Sequence, residues 1–399
     1  MDRAETLEID LTNLETFKSG PPHAVFDAYR EHAPVHWQPV AAGAPTGGVW
    51  CLTRHDHIGE VSRDRNNFTS ELGITYPTAN ITFKDNLMFN DPPAHTRLRS
   101  IIAKAFSIKV VAHFESWVSD IVDEALDDVE KLDEFDFVKE VAELVPGLVI
   151  ADVLGVPRDM RYKIVEWANG LIAGQQAILK DPDINRRNAA EMLGYAFELR
   201  EIKRRTPGED VITELVNSPE QLTDNEYKDF FAGLLVAGFE TTHTMMSQAM
   251  RLMLEDQGVG DQIAEHCRVG EAGIVVDEVL RYVTPVIHMA RCAKADLEFH
   301  GHDIAKDDMV VMWYSAGNRD PNVFEDPHRF NARRSPNKHL SFGGGGPHLC
   351  IGAHLARLEG RLLLERLESR GIKLQLSAEP VVKPNMFINR LASLPVARN

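Results

Sequence analysis

The chain has 399 residues, 44% hydrophobic and 26% charged, the balance of a globular protein large enough to enclose a cofactor and an apolar ligand. Its formal charge of −17 excludes broad binding along a nucleic-acid backbone, because no basic surface predominates. Four widely spaced cysteines (Cys51, Cys267, Cys292 and Cys350) form no CxxC pair, which excludes a zinc ribbon and a disulfide framework and suits reduced intracellular thiols.

Met1 to Gly20 is acidic and broken by polar residues, unlike a signal peptide, and no apolar run is long enough to span a bilayer. A cytoplasmic protein without membrane insertion is expected. Strand-like pieces lie toward the ends: Val35–Trp37 with Val49–Leu52, then Leu297–Phe299, Met309–Met312 and Ile372–Leu376. Most of 101–280 and 351–370 has helical spacing. No repeat or low-complexity linker interrupts residues 1–399, so one compact unit is expected, mainly α with a small β portion.

Asp91-Pro-Pro-Ala-His-Thr-Arg-Leu-Arg99 places His95 and Arg99 four apart after a Pro-Pro helix start. Two donors on one face suit an anionic group, or simply solvent. Thr223 and Glu226 form a capping-box pattern, and helical character runs to about Asp256. That is roughly 50 Å of helix. Its middle, 231–240, is apolar around most of its circumference and should be buried. Glu240 and Thr241 break this stretch, at a cost unless they are hydrogen-bonded or useful. Back-bonding of Thr241 to the Ala237 carbonyl is the plain alternative. Ala237 and Gly233 fall one and two turns earlier on the same face, leaving room there.

Glu278 and Arg281 share a helical face, a pairing that alone is usually a surface salt bridge. The run from His339 to Gly352 holds four consecutive glycines before Cys350, which let a backbone run close to something flat or bulky. Cys350 opens a helix with apolar Ile351, Leu355, Leu358 and Leu362, stopped at Gly371. A helix N-terminus favours a thiolate, the metal-binding form. Three duller readings stay open on these residues: a phosphate cradle without a GxGxxG register, a zinc site with His354 lacking a second pair, and a plain buried thiol.

With Gly346 at −4, His348 at −2 and Gly352 at +2 from Cys350, the chain resembles the cytochrome P-450 family over nearly its whole length. It departs in one place: the family's aromatic sits seven residues before the cysteine, where this chain has Gly343, with Phe342 eight before. The resemblance implies the P-450 fold, a single triangular-prism domain with haem between the long central helix and the cysteine-loop helix. It implies that Cys350 ligates the iron of haem b, with Phe342, His348 and Gly352 around it, and that His95, Arg99 and Arg291 serve the propionates. It implies that Glu278, Arg281 and Arg329 form a structural network, and that Glu240 and Thr241 form an acid–alcohol pair for O2 activation.

The activity so implied is a monooxygenase reaction, one oxygen atom of O2 entering a C–H bond of a hydrophobic substrate. Candidate walls are Phe83, Leu87 and Met88, then Gly233, Val236 and Ala237, then Ile287, Phe387 and Ile388, with ordinary core packing as the plain alternative for each. They suit a terpenoid, steroid, alkyl-aromatic or fatty compound. No flavin or nicotinamide segment is visible, so electrons from NAD(P)H are expected through a ferredoxin and ferredoxin reductase. A patch of Lys104, Lys109, His339, His348 and Arg357 is expected to dock the ferredoxin to a monomer. The rivals are a peroxide-driven haem-thiolate enzyme of the same fold and a non-catalytic haem-binding sensor.

Overall fold

The long helix starts at its expected cap. Thr223 Oγ1 accepts the Glu226 N–H at 3.2 Å, and Glu226 Oε2 accepts the Thr223 N–H at 2.8 Å, satisfying two donors that a helix start leaves free. Asp224–Glu255 then runs unbroken for 32 residues, about 48 Å at the usual rise. Tyr227, Phe231, Leu235, Phe239 and Met245 are buried along it, so packing and not propensity holds it.

The structure is a computed structural model describing residues 7–40, 42–78, 84–180 and 184–399, with the side chains of 109, 171–180 and 184–186 outside the description. The helices that position the site are α1 (His55–Arg63), α2 (Ala94–Ile102), α3 (Leu144–Val153), α4 (Asp224–Glu255), α5 (Ala272–Val283) and α6 (Ala353–Ser369). The strands are β1 (Val35–Pro39), β2 (Gly48–Leu52), β3 (Phe68–Thr69), β4 (Glu134–Asp136), β5 (His288–Ala293), β6 (Leu297–Phe299), β7 (His302–Ile304), β8 (Met309–Trp313), β9 (Leu374–Leu376), β10 (Val381–Val382), β11 (Leu391–Ser393) and β12 (Pro395–Arg398). The main sheet has the order β1-β2-β8-β5-β3, with β2 and β8 parallel and the other neighbours antiparallel. A second sheet, β4-β12-β9, joins the middle of the chain to its end. Among the described residues no helix is long and apolar enough to cross a membrane.

The strand pair at 35–52 and the strands at 297–299 and 309–313 stand where the hydrophobic pattern puts them. The expected Ile372–Leu376 strand begins two residues later, at Leu374. Sequence reading missed β5 for a physical reason: five of its six residues are buried, so it shows none of the alternation that marks a half-exposed strand. The largest core cluster surrounds α4. A second seats Phe17 and Phe26 against Trp313 on β8, each with ring centroids 5.5 Å from it.

Candidate functional site

The cysteine loop is moulded by its neighbours. Asn318 takes the Leu340 N–H on Oδ1 at 2.6 Å and donates to Ser341 and Thr284 at 3.0 and 2.9 Å. From α1, Arg63 donates to the Gly344 carbonyl at 3.0 Å and Ser62 to that of Gly345 at 2.9 Å. Gly346 has φ +80°, and a Cβ there would lie 2.7 Å from the Ser62 carbonyl oxygen, so both backbone angle and space demand glycine. The Cys350 N–H donates to the Phe342 carbonyl at 2.9 Å. The Phe342 ring lies under the Arg357 guanidinium, 4.5 Å from centroid to charge.

Cys350 does not open the following helix, as spacing suggested. The helix starts at Ala353, because a turn intervenes in which the Gly352 amide hydrogen-bonds to the sulfur. The side chain is exposed, yet protein surrounds it, and desolvation is the leading cause that pushes its thiol up. Both hold together for a side chain facing an internal space. The Gly352 amide and the charges of Arg99 and Arg357 oppose that rise and favour the thiolate. Ala237 is likewise exposed in mid-α4, between buried Leu235 and Phe239.

Around this space stand donors without acceptors. His95 is buried, with no hydrogen-bond partner for either ring nitrogen among the described residues. Arg291 is buried and donates to its neighbour's carbonyl, Ala290 O, at 2.7 Å. Arg99 is half-buried and makes no side-chain hydrogen bond among the described residues. His348 approaches Ser70 Oγ at 3.2 Å and packs its ring 4.3 Å from that of His95. Burial first, then the charges of neighbouring Arg291 and Arg99, holds His95 down to about 4 and His348 to about 3. The nearby carboxylate, Asp91, is taken by Lys294 at 2.9 Å and the Ser70 N–H at 3.1 Å. Buried orphan donors are costly. Two carboxylates and a thiolate-bound metal would satisfy them, so these residues fit haem.

Thr241 Oγ1 donates to the Ala237 carbonyl at 2.7 Å, the back-bonded geometry. Glu240 is buried, and its Oε2 meets Arg390 Nη1 at 3.1 Å, while Arg390 Nη2 meets Glu143 at 3.1 Å. Sequence reading missed Arg390, which lies in a motif-free segment between β10 and β11. A lone arginine just after the apolar pair Phe387–Ile388 was the available signal.

Glu278 and Arg281 are fully buried and joined by two bonds of 2.8 Å. The expected third member, Arg329, is corrected: its side chain is exposed, and it offers its carbonyl to Arg281 at 3.2 Å. Arg334 takes the place, its Nε 3.1 and 3.2 Å from the Glu278 oxygens, because the turn after Phe330 points that side chain inward. Asn331 N–H and Asn337 Nδ2 complete the carboxylate's shell at 2.9 and 3.1 Å.

Of the expected walls, Leu87, Met88, Val236 and Phe387 are half-buried, Ala237 is exposed and Ile388 is buried. Phe83 lies outside the described residues. Two expectations are corrected. Ile287 is wholly buried in the core with Ala290 and Cys292, since the backbone turns its neighbour Val286 outward instead. Gly233 leaves room for Asn86, not for a ligand: a Cβ there would lie 2.0 Å from Asn86 Nδ2. Asn86 donates to the Asp229 carbonyl at 2.7 Å and accepts the Met88 N–H at 2.9 Å, while Asp229 Oδ2 accepts the Asp85 N–H at 2.9 Å. These bonds pin the turn Leu87–Phe89 to α4.

The basic patch also divides. The His339 side chain is buried and bound to Asp277 at 3.2 Å, which Arg357 shares at 2.7 Å, and His348 faces inward against His95. Lys104 and half-exposed Arg357 remain, and the Lys109 side chain lies outside those described.

A family model described as Cytochrome P450 matches residues 273–370. Over 94% of this chain and 95% of the relative, the sequence is 30% identical to the polyketide biosynthesis cytochrome P450 PksS of Bacillus subtilis. It is 33% identical to the steroid C26-monooxygenase of Mycobacterium tuberculosis, over 89% of this chain and 84% of that one. The solved structure of a Mycobacterium marinum cytochrome P450 in complex with pseudoionone superposes with a TM-score of 0.89 at 29% identity, covering 98% of each chain. The chain belongs to the cytochrome P450 family and is a haem-thiolate monooxygenase.

Proposed function

We propose that this enzyme hydroxylates a hydrophobic small molecule of the terpenoid, steroid, alkyl-aromatic or fatty class, with electrons passed from NAD(P)H through a ferredoxin reductase and a ferredoxin. The observation that carries the reading is that Ala237, one turn from Thr241 on α4, is exposed, while the apolar Val236, Leu87, Met88 and Phe387 are only half-buried. Relatives named for a steroid and crystallised with pseudoionone support that class.

In this reading Cys350 ligates the iron, and His95, Arg99, Arg291 and His348 hold the propionates. Haem so bound supplies the oxidising chemistry at an unactivated C–H bond. The protein's own part is orientation and proton handling. The Thr241 hydrogen points to Ala237, which leaves the hydroxyl oxygen free to accept on its other side. Arg390 pairs with Glu240 Oε2 at 3.1 Å and so fixes where that carboxylate sits. The apolar walls orient substrate and exclude water. Lys104 and Arg357, with exposed Leu349 beside the cysteine, would meet an acidic ferredoxin. The enzyme acts as a cytoplasmic monomer.

The test is a screen of hydrophobic compounds for the high-spin optical shift, followed by product analysis with ferredoxin, reductase and NADH. Binding that yields product with peroxide alone would overturn the ferredoxin reading. A Cys350→Ala variant that keeps the thiolate-type carbon monoxide spectrum would overturn the ligand.

A further inference from the structure

The groups that Glu240 already touches cannot recharge it with protons. Its partner Arg390 stays charged and has no acceptor, and Arg390 leads on to Glu143 by the same guanidinium. Among the described residues, one other titratable side chain approaches the same oxygen. His243 Nδ1 lies 3.9 Å from Glu240 Oε2, one turn farther along α4.

The His243 ring has no exposed surface, and neither nitrogen has a hydrogen-bond partner among the described residues. Buried imidazoles normally have one. A gap of 3.9 Å is too long for a hydrogen bond, but a small rotation or one bridging water closes it. The next residue repeats the pattern: Thr244 Oγ1 is buried without a partner among the described residues. Ser247 is buried one turn on, and Arg251 ends the line with its side chain 27% exposed. Glu240, His243, Thr244, Ser247 and Arg251 thus share one helical stripe from the acid toward the surface. A helix crossing a core would carry apolar residues there by default.

Resting on the reading of Glu240 as the pocket's acid, we propose that His243 is a positioning residue that supplies Glu240 with protons from the Thr244–Ser247 side. A proton drawn from solvent bonds to Nε2, the Nδ1–H bond breaks, and an Oε2–H bond forms on Glu240. The ring ends as its other tautomer and no electron moves. Waters at the orphaned Thr244 and His243 atoms complete the line.

The test uses the haem-loaded enzyme with ferredoxin, reductase, NADH and a compound from the optical screen, comparing His243→Gln, His243→Leu and Glu240→Gln. Gln keeps hydrogen bonding but carries no proton. Both His243 variants should lose product per NADH on the order of 10²-fold, with a raised solvent isotope effect and an unchanged carbon monoxide spectrum. Wild-type coupling in His243→Gln would overturn the proposal. If Glu240→Gln itself keeps wild-type coupling, the acid reading falls; if only the His243 variants keep it, this inference alone falls. Without turnover, the His243 ring ¹⁵N resonances, assigned by their loss in His243→Gln, should move in Glu240→Gln. Resonances that stay put would overturn the proposal even where His243→Leu fails to fold.

Discussion

Arg390 Nη1 and Glu240 Oε2 are 3.1 Å apart, and the other arm of the same guanidinium reaches Glu143 at 3.1 Å. One side chain from the C-terminal segment therefore ties the central helix to the residue that ends the π-helical turn Val138–Ala142. Such turns are frequent at functional sites. Arg390→Gln leaves a buried carboxylate without its cation, which costs about 3–5 kcal/mol. Urea unfolding should show that loss, and Arg390→Lys should recover part of it.

Arg334 and Arg329 separate the network's members cleanly. Arg334→Ala takes one of two cations from Glu278 inside the core, leaving Arg281 in place, and should cost about 1–3 kcal/mol, with weakened haem retention. Arg329→Ala removes an exposed side chain and should stay within about 0.5 kcal/mol. The same denaturant titration on both variants decides which arginine belongs to the network.

Gly233→Ala places a methyl group against Asn86 Nδ2. The amide must leave its 2.7 Å bond to Asp229, and overpacking of this kind costs about 1–3 kcal/mol. Hydrogen exchange should quicken in 84–90 and stay unchanged in β1 and β2.

Acid should destabilise the haem-free protein before it reaches ordinary carboxylate values. His95, His348 and buried His288 are held down to about 4, 3 and 4, chiefly by burial. His288 accepts the Tyr76 N–H on Nε2 at 3.0 Å and points Nδ1 at the Met386 carbonyl, 2.8 Å away, so it must be neutral. The unfolded chain therefore takes up protons first, and stability present above pH ~6.5 is lost as pH falls toward about 4. The midpoint of urea unfolding, followed from pH 7 to 4, should fall. His95→Phe should flatten the fall.

The parts of the site visible in the sequence are those carried by short spacing. Glu278 with Arg281, the cap at Thr223 and the glycine run before Cys350 each declare themselves within a few residues. Arg390 and Asn86 act on α4 from about 150 residues away along the chain, and no local pattern marks such a partner. Arg329 and Arg334 could not be told apart in sequence, because the choice depends on how one turn faces. Ile287 and Val286 differ only in which side of the backbone meets the core.

The cysteine loop owns little of its own shape. Arg63, Ser62 and Asn318 hold its carbonyls and amides, and they come from segments hundreds of residues apart in the chain order. A peptide copied from 339–352 would carry the thiol and the glycines but none of the mould. Transplanting this sulfur with its surroundings into another scaffold therefore means moving α1 and the Asn318 turn along with it, and a graft of the loop alone should leave a mobile cysteine without its fixed backbone.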